Sequence, residues 1–111
     1  MSALSTHVLD TALGRPAAGV PVELAASTGD GGWQVLASGT TDDDGRVTAI
    51  GPDRVTPGRY RFTFDTGAYL AATGQPAFHP EVVVVFTVAD DEHYHVPLLL
   101  SPFAYSTYRG S

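Results

Sequence analysis

The stretch Arg59-Tyr60-Arg61-Phe62-Thr63-Phe64-Asp65 decides the fold class. Tyr60, Phe62 and Phe64 alternate with Arg59, Arg61, Thr63 and Asp65, so an extended backbone gathers all three aromatic rings on one face. A helix would scatter the same residues around its axis. Working outward, the period recurs. In residues 20–26, Val20, Val22, Leu24 and Ala26 share a face and Glu23 takes the other. Trp33-Gln34-Val35-Leu36-Ala37-Ser38 is a plausible partner strand across the turn Gly29-Asp30-Gly31-Gly32. Residues 4–10 alternate, residues 93–100 follow the acidic turn Asp90-Asp91-Glu92, and the valine-rich run 81–88 reads as a strand with both faces covered. Asp44-Gly45, Gly51-Pro52-Asp53 and Thr56-Pro57-Gly58 supply the backbone angles that reversals need. Only residues 65–74 resist the strand reading, with N-cap candidates in front, alanines within and Gly74 as a stop. Residues 103–111 are rich in aromatic and hydroxyl side chains, so the tail is expected to dock. The expectation is all-β: one domain over residues 1–111, a two-sheet β-sandwich with a single short helix.

Composition narrows the chemistry. The chain has 111 residues, with 6 basic and 12 acidic side chains and a net charge of −6. All six basic residues are arginines, and lysine, cysteine and asparagine are absent. A Schiff-base lysine, a thiol nucleophile, a disulfide framework and an Asn-linked glycan are thereby excluded. At 43% hydrophobic and 16% charged the chain has the balance of a folded domain. No apolar run approaches membrane-spanning length, and the negative charge argues against a nucleic-acid partner. The N-terminal residues 1–7 lack the pattern of a secretory signal, so cytoplasm is the expected compartment.

The candidates for chemistry are few. His93 and His95 stand two apart in an expected strand and so project from one face, opposite Tyr94, Val96, Leu98 and Leu100. Pro97 lacks a ladder donor, which predicts an edge strand or a local bulge. The histidine pair can be solvated, can hold a transition metal with further ligands such as His7 or His79, or can do acid–base work near neutral pH. Spacing leaves all three open. His7, taken alone, reads as structural or exposed, and so does His79. Asp42-Asp43-Asp44-Gly45 fails the calcium-loop pattern: with Gly45 at its sixth position, Thr40 and Gly51 fall where acids are required. It is read as a solvated turn. Arg46, next to that turn, is by itself a surface arginine.

The ends of the chain become specific together. Leu4-Ser5-Thr6-His7-Val8-Leu9-Asp10 with Gly14-Arg15-Pro16-Ala17 resembles the N-terminal motif of the transthyretin-related 5-hydroxyisourate hydrolases. His93-Tyr94-His95-Val96-Pro97-Leu98-Leu99-Leu100-Ser101-Pro102 is similar to their C-terminal strand motif. Tyr108-Arg109-Gly110-Ser111 matches the terminal tetrapeptide that separates these hydrolases from the hormone carrier transthyretin, and residues 41–46 fit their arginine-bearing turn. The resemblance runs along the whole chain. It implies a transthyretin-like sandwich of about eight short strands, and a homotetramer with active sites where dimers meet. It also implies cofactor-free and metal-free opening of the six-membered ring of 5-hydroxyisourate. By the same resemblance the catalytic residues are His7, Arg46, His95 and Ser111, with His93, Tyr108, Arg109 and Gly110 at the substrate. Two readings compete with it: a non-catalytic carrier of a small ligand, and a metal protein using His7, His93 and His95.

Overall fold

The computed structural model describes residues 3–111; Met1 and Ser2, which belong to the N-terminal stretch read above for a signal, lie outside the described residues. Nine strands and one helix follow the order β1 (Leu4–Asp10), β2 (Arg15–Pro16), β3 (Pro21–Ser27), β4 (Trp33–Thr40), β5 (Arg46–Val47), β6 (Gly58–Phe64), α1 (Thr66–Ala72), β7 (Val82–Val88), β8 (Tyr94–Leu100) and β9 (Tyr105–Thr107). They form two sheets. One runs β4-β3-β6-β7, antiparallel throughout. The other runs β2-β1-β8-β9, with the two-residue β5 also paired to β1. The sandwich and its short helix are as expected.

The period-2 pattern explains the core. Tyr60, Phe62 and Phe64 of β6 are buried, as are Val22 and Leu24 of β3 and Val82, Val84 and Val88 of β7. They pack against Leu4 and Val8 of β1 and Tyr94, Val96, Leu98 and Leu100 of β8 in one apolar cluster. Phe62 lies against Phe64 and Phe86 with ring centroids 6.0 and 5.3 Å apart, distances at which aromatic pairs add to area burial.

Two expectations need correction. The run 81–88 is not covered on both faces: β7 is an edge strand, and Val83 and Val85 are 40% and 51% exposed. A continuous valine run fits a central strand and an edge strand equally, because hydropathy does not count neighbours. Arg61, which the alternation places on the outward face and so in solvent, instead lies over the Trp33 ring of β4 at 4.5 Å with its Nε buried, a cation–π arrangement. Pro97 gives a third result. β8 is an interior strand, and the proline interrupts its ladder on one side only. Leu98 pairs with Thr107 and His95 bridges Gly110 in one continuous antiparallel register, so Tyr108 stands opposite Pro97, where no N–H is available.

The helix forms where the caps say. Asp65 accepts a hydrogen bond from the Ala68 N–H, and Gly74 takes φ +70° just past the end. Tyr69 reaches from α1 to the end of β1, where its hydroxyl donates to Asp10 Oδ2 at 2.6 Å. Gln75 Nε2 donates to the same oxygen at 2.9 Å, while the Ala12 and Leu13 N–H groups donate to Oδ1. Burial alone would raise the Asp10 carboxyl pKa, but the four donors outweigh it and the net shift is downward. The same contact, with burial, pushes the Tyr69 hydroxyl up to about 12. Among the described residues, no helix is long and apolar enough to cross a membrane.

The Asp10 knot should be visible in unfolding. Tyr69→Phe is expected to cost about 1–3 kcal/mol, since it deletes a donor to a buried carboxylate. A depressed carboxyl pKa stabilises the fold above the unfolded value and loses that contribution as pH falls through the folded one. Urea unfolding between neutral pH and pH 3 should show Asp10→Asn less stable than wild type at neutral pH, with the difference shrinking in acid. A constant difference would remove Asp10 from the acid sensitivity.

Candidate active site

The β2-β1-β8-β9 sheet turns one face to the core and the other outward, and the outward face holds the candidate chemistry. β1 and β8 pair in parallel with Ser5 opposite His95 and His7 opposite Pro97. Opposed residues in a sheet project to the same side, so Ser5, His7 and His95 share this face. On the other edge of β1, His7 pairs with Arg46 of β5. The chain terminus completes the set, because Gly110 N–H donates to the His95 carbonyl at 2.8 Å and carries Ser111 to the same place. Ser5, Arg46, Thr48, His93, His95, Tyr108, Gly110 and Ser111 line a cleft of about 420 Å³. No aspartate or glutamate side chain lines it.

Two glycines make the geometry possible. Gly45 has φ +76°, and a Cβ there would lie 2.4 Å from the Val8 carbonyl oxygen. The bare backbone lets the turn before β5 close onto β1, where Val8 N–H donates to the Gly45 carbonyl at 2.7 Å. Asp42 holds that turn by accepting from the Asp44 and Arg46 N–H groups at 2.9 and 3.0 Å. The acidic run is thus a structural turn, as read from the sequence. At Gly110 a Cβ would lie 2.6 Å from His95 Cδ2, so the tail can press flat against the imidazole only without a side chain.

Each imidazole is orientated. His7 Nε2 lies 2.9 Å from the Asp44 carbonyl, which can only accept, so this nitrogen carries a proton. The His7 and His95 rings stand 6.4 Å apart, centroid to centroid. His95 Nδ1 lies 2.7 Å from Ser5 Oγ, and His93 Nε2 lies 2.8 Å from the same oxygen. The pKa of His95 is lowered, first by burial and then by the charges that His7, Arg46 and His93 can carry. His95 is therefore neutral near pH 7. The Arg46 guanidinium makes no ion pair among the described residues and is exposed at the cleft.

Not every sequence candidate lines the cleft: His7 is outside its lining, although its ring lies 6.4 Å from that of His95. The Arg109 guanidinium stacks 4.3 Å over Tyr94 and meets Glu92 at 3.5 Å, on the far side of the tail. Interruption of the ladder at Pro97 leaves Tyr108 and Arg109 outside the strand pairing, with Tyr108 at the cleft. His79 lies elsewhere, its ring edge-on to Phe78 and Tyr105 at 4.9 and 5.0 Å. Ser5 and Thr48 were not singled out in the sequence. Ser5 had an available signal, since it stands two residues before His7 on the same alternating strand. Among the described residues no group of three or more histidine or acidic side chains is arranged to hold a metal ion. His93 and His95 are directed at a serine hydroxyl, not at a common empty point.

Comparison with known proteins agrees with this architecture. A family model described as the HIUase/Transthyretin family matches residues 4–110. The chain is 49% identical to the 5-hydroxyisourate hydrolase of Salmonella dublin over 97% of this chain and 80% of that one. It superposes on the 5-hydroxyisourate hydrolase of Klebsiella pneumoniae with a TM-score of 0.87 and 37% identity, covering 100% of both chains. It superposes equally on sea bream transthyretin in complex with thyroxine, with a TM-score of 0.89, 38% identity, and 96% and 93% of the two chains covered. A sandwich of this topology, matched along nearly its whole length, places the chain in the HIUase/transthyretin family.

Proposed function

We propose that this chain hydrolyses 5-hydroxyisourate to 2-oxo-4-hydroxy-4-carboxy-5-ureidoimidazoline, the step that follows urate oxidation. Its family and its hydrolase relatives make it a hydrolase of urate degradation; the substrate, the product and the residues below are the finer reading. The observation that carries it is the orientated His95 imidazole in one cleft with the Arg46 guanidinium, with the His7 ring 6.4 Å from His95 and, among the described residues, no aspartate or glutamate side chain in the lining.

Ring opening needs a base for water, a partner for the developing oxyanion and an acid for the leaving nitrogen. His7 and His95 are the groups for the two proton transfers. Water loses a proton to one imidazole as its oxygen bonds to the ring carbonyl carbon. The carbonyl electron pair moves to oxygen, where the planar Arg46 fork and the Ser111 hydroxyl can receive it. As the oxyanion pair returns and the carbon–nitrogen bond breaks, the nitrogen takes a proton from the other imidazole; the new carboxylic acid gives its proton back to that imidazole and the base releases its own to solvent, leaving a carboxylate and a ureido group. His93, Tyr108 and Gly110 shape the substrate's surroundings, and Arg109 acts by anchoring the tail against Tyr94. No cofactor enters this scheme.

The site lies on an open sheet face, and β7 leaves a valine-rich edge unpaired. Both features support a homotetramer with its active sites between dimers. The thyroxine-bound relative raises a second reading, a small-ligand carrier. A cleft of two histidines, an arginine and a terminal serine is too polar for an apolar aromatic ligand.

The rate at which 5-hydroxyisourate absorbance decays in the ultraviolet is expected to exceed the spontaneous rate; equal rates would leave the carrier reading in place. Light scattering should give a mass near four times the 11.7 kDa chain. Removing residues 108–111 is expected to abolish hydrolysis without changing that mass. Arg46→Lys keeps the charge but loses the fork, and should lower kcat/KM roughly ten- to hundredfold, the worth of about 1.5–3 kcal/mol for hydrogen bonds to a charged group. A base must be unprotonated, and the His95 pKa is depressed, so the acid fall of kcat/KM that belongs to His95 should be centred below pH 6.5. A fall centred above pH 6.5 that persists in His93→Gln would remove His95 as that base.

A further inference from the structure

Ser5 Oγ is the joint between two imidazoles, and a hydroxyl has only one proton to give. Its two contacts, His93 Nε2 at 2.8 Å and His95 Nδ1 at 2.7 Å, are its only hydrogen-bond partners among the described residues. The serine is buried at 7% exposure, so water has little access to replace either partner. The arrangement has two self-consistent proton patterns. In one, His95 Nδ1–H donates to Ser5, and Ser5 donates to a bare His93 Nε2. In the other, His93 Nε2–H donates to Ser5, and Ser5 donates to a bare His95 Nδ1. The patterns differ at the cleft. His95 Nε2 has no protein partner among the described residues; it carries a lone pair in the first pattern and a proton in the second.

We propose that Ser5 and His93 are positioning residues that set the His95 tautomer, so that His95 offers a base at Nε2 only while His93 is neutral. The inference rests on the reading that His95 transfers a proton during hydrolysis. A charged His93 must donate through Nε2, which turns the Ser5 hydroxyl toward His95 and moves the His95 proton to Nε2. Protonating His93 therefore disables the base without charging it. The switch balances with one proton from solvent: it enters at His95 Nε2 while the Nδ1 proton passes through the Ser5 hydroxyl to His93 Nε2, so the added charge rests on His93. The groups that bear on this chain are His7 from β1, Arg46 from β5, and Tyr108, Arg109 and the Ser111 carboxylate from the tail, with Glu92 beside His93 in sequence. Of these, His7 and Arg46 lie close enough to His95 to disfavour charging it.

Two measurements test the relay independently. With ¹⁵N-histidine-labelled protein at neutral pH, ring nitrogen shifts should show His95 protonated at Nδ1. In Ser5→Ala they should move toward the Nε2–H form that neutral imidazole prefers in water. In 5-hydroxyisourate hydrolysis, Ser5→Ala should lower kcat roughly tenfold or more with little change in KM, short of the ~10⁴ that a wrong tautomer costs in a serine-protease triad. Ser5→Thr, which keeps the hydroxyl, should recover most of that loss. His93→Gln should lower kcat less than Ser5→Ala and reduce the acid limb of the pH profile to a single proton, where wild type is steeper. A wild-type His95 found as Nε2–H, or a Ser5→Ala protein with unchanged shifts and kcat, overturns the relay. Absence of hydrolysis by wild type would instead overturn the functional reading, with the nitrogen shifts still deciding the relay.

Discussion

The parallel pairing of β1 with β8 is the contact on which the rest depends. It joins residues 4–10 to residues 94–100, nearly the full length of the chain apart, in seven consecutive register positions. Without it neither sheet closes over the other, because Leu4 and Val8 bring their core face to Leu98 and Leu100 through this ladder. The same register places Ser5 beside His95, so one set of backbone bonds builds the core on one side and the site on the other. Contacts of such sequence separation form against a large loop-closure entropy. The Asp10 knot, which ties the end of β1 to α1 through Tyr69 and Gln75, sits at the end of this ladder and helps hold it.

The site is further shaped by residues with no chemistry of their own. Pro97 removes a single ladder donor at the point where the tail would otherwise pair continuously. That gap frees Tyr108 and Arg109, and Gly110 then returns the chain to His95 at a distance no side chain would tolerate. Gly45 plays the corresponding part for Arg46, letting its turn lie on the Val8 carbonyl. The tail and the turn that carry the proposed site are thus set against β1 and β8 by a missing donor and two missing side chains.

Much of this was legible in the sequence, and what was not has physical causes. Alternation in residues 59–65 was decisive because Tyr60, Phe62 and Phe64 bury one face of β6 while its outer face keeps polar groups. The helix was legible because Asp65 and Gly74 act locally. The run 81–88 misled because its burial depends on which strands flank it, and pairing is not local. Arg61 misled because covering Trp33 is a tertiary contact made by an outward-facing side chain. Proximity of His7 to His95 could not come from periodicity, which fixes faces within a strand and not registers between strands. Ser5 shared a parity with His7, yet only the β1–β8 register shows that its hydroxyl meets two imidazoles.

The charge balance acquires meaning at the same level. Twelve carboxylates against six arginines give a net −6, which would repel an anionic substrate if the acids were evenly spread. They are not. Asp42 is spent on the turn before β5, Asp65 on the helix cap, Asp90 on Tyr94, and Asp10 on its own buried donors. Glu92 meets Arg109 on the far side of the tail. Among the described residues no aspartate or glutamate lines the cleft and Arg46 makes no ion pair, and the Arg46 charge is one of the causes that lower the His95 pKa. On the proposed reading, the guanidinium that would draw an anionic ring into the cleft is also one of the charges that lower the pKa of the neighbouring imidazole.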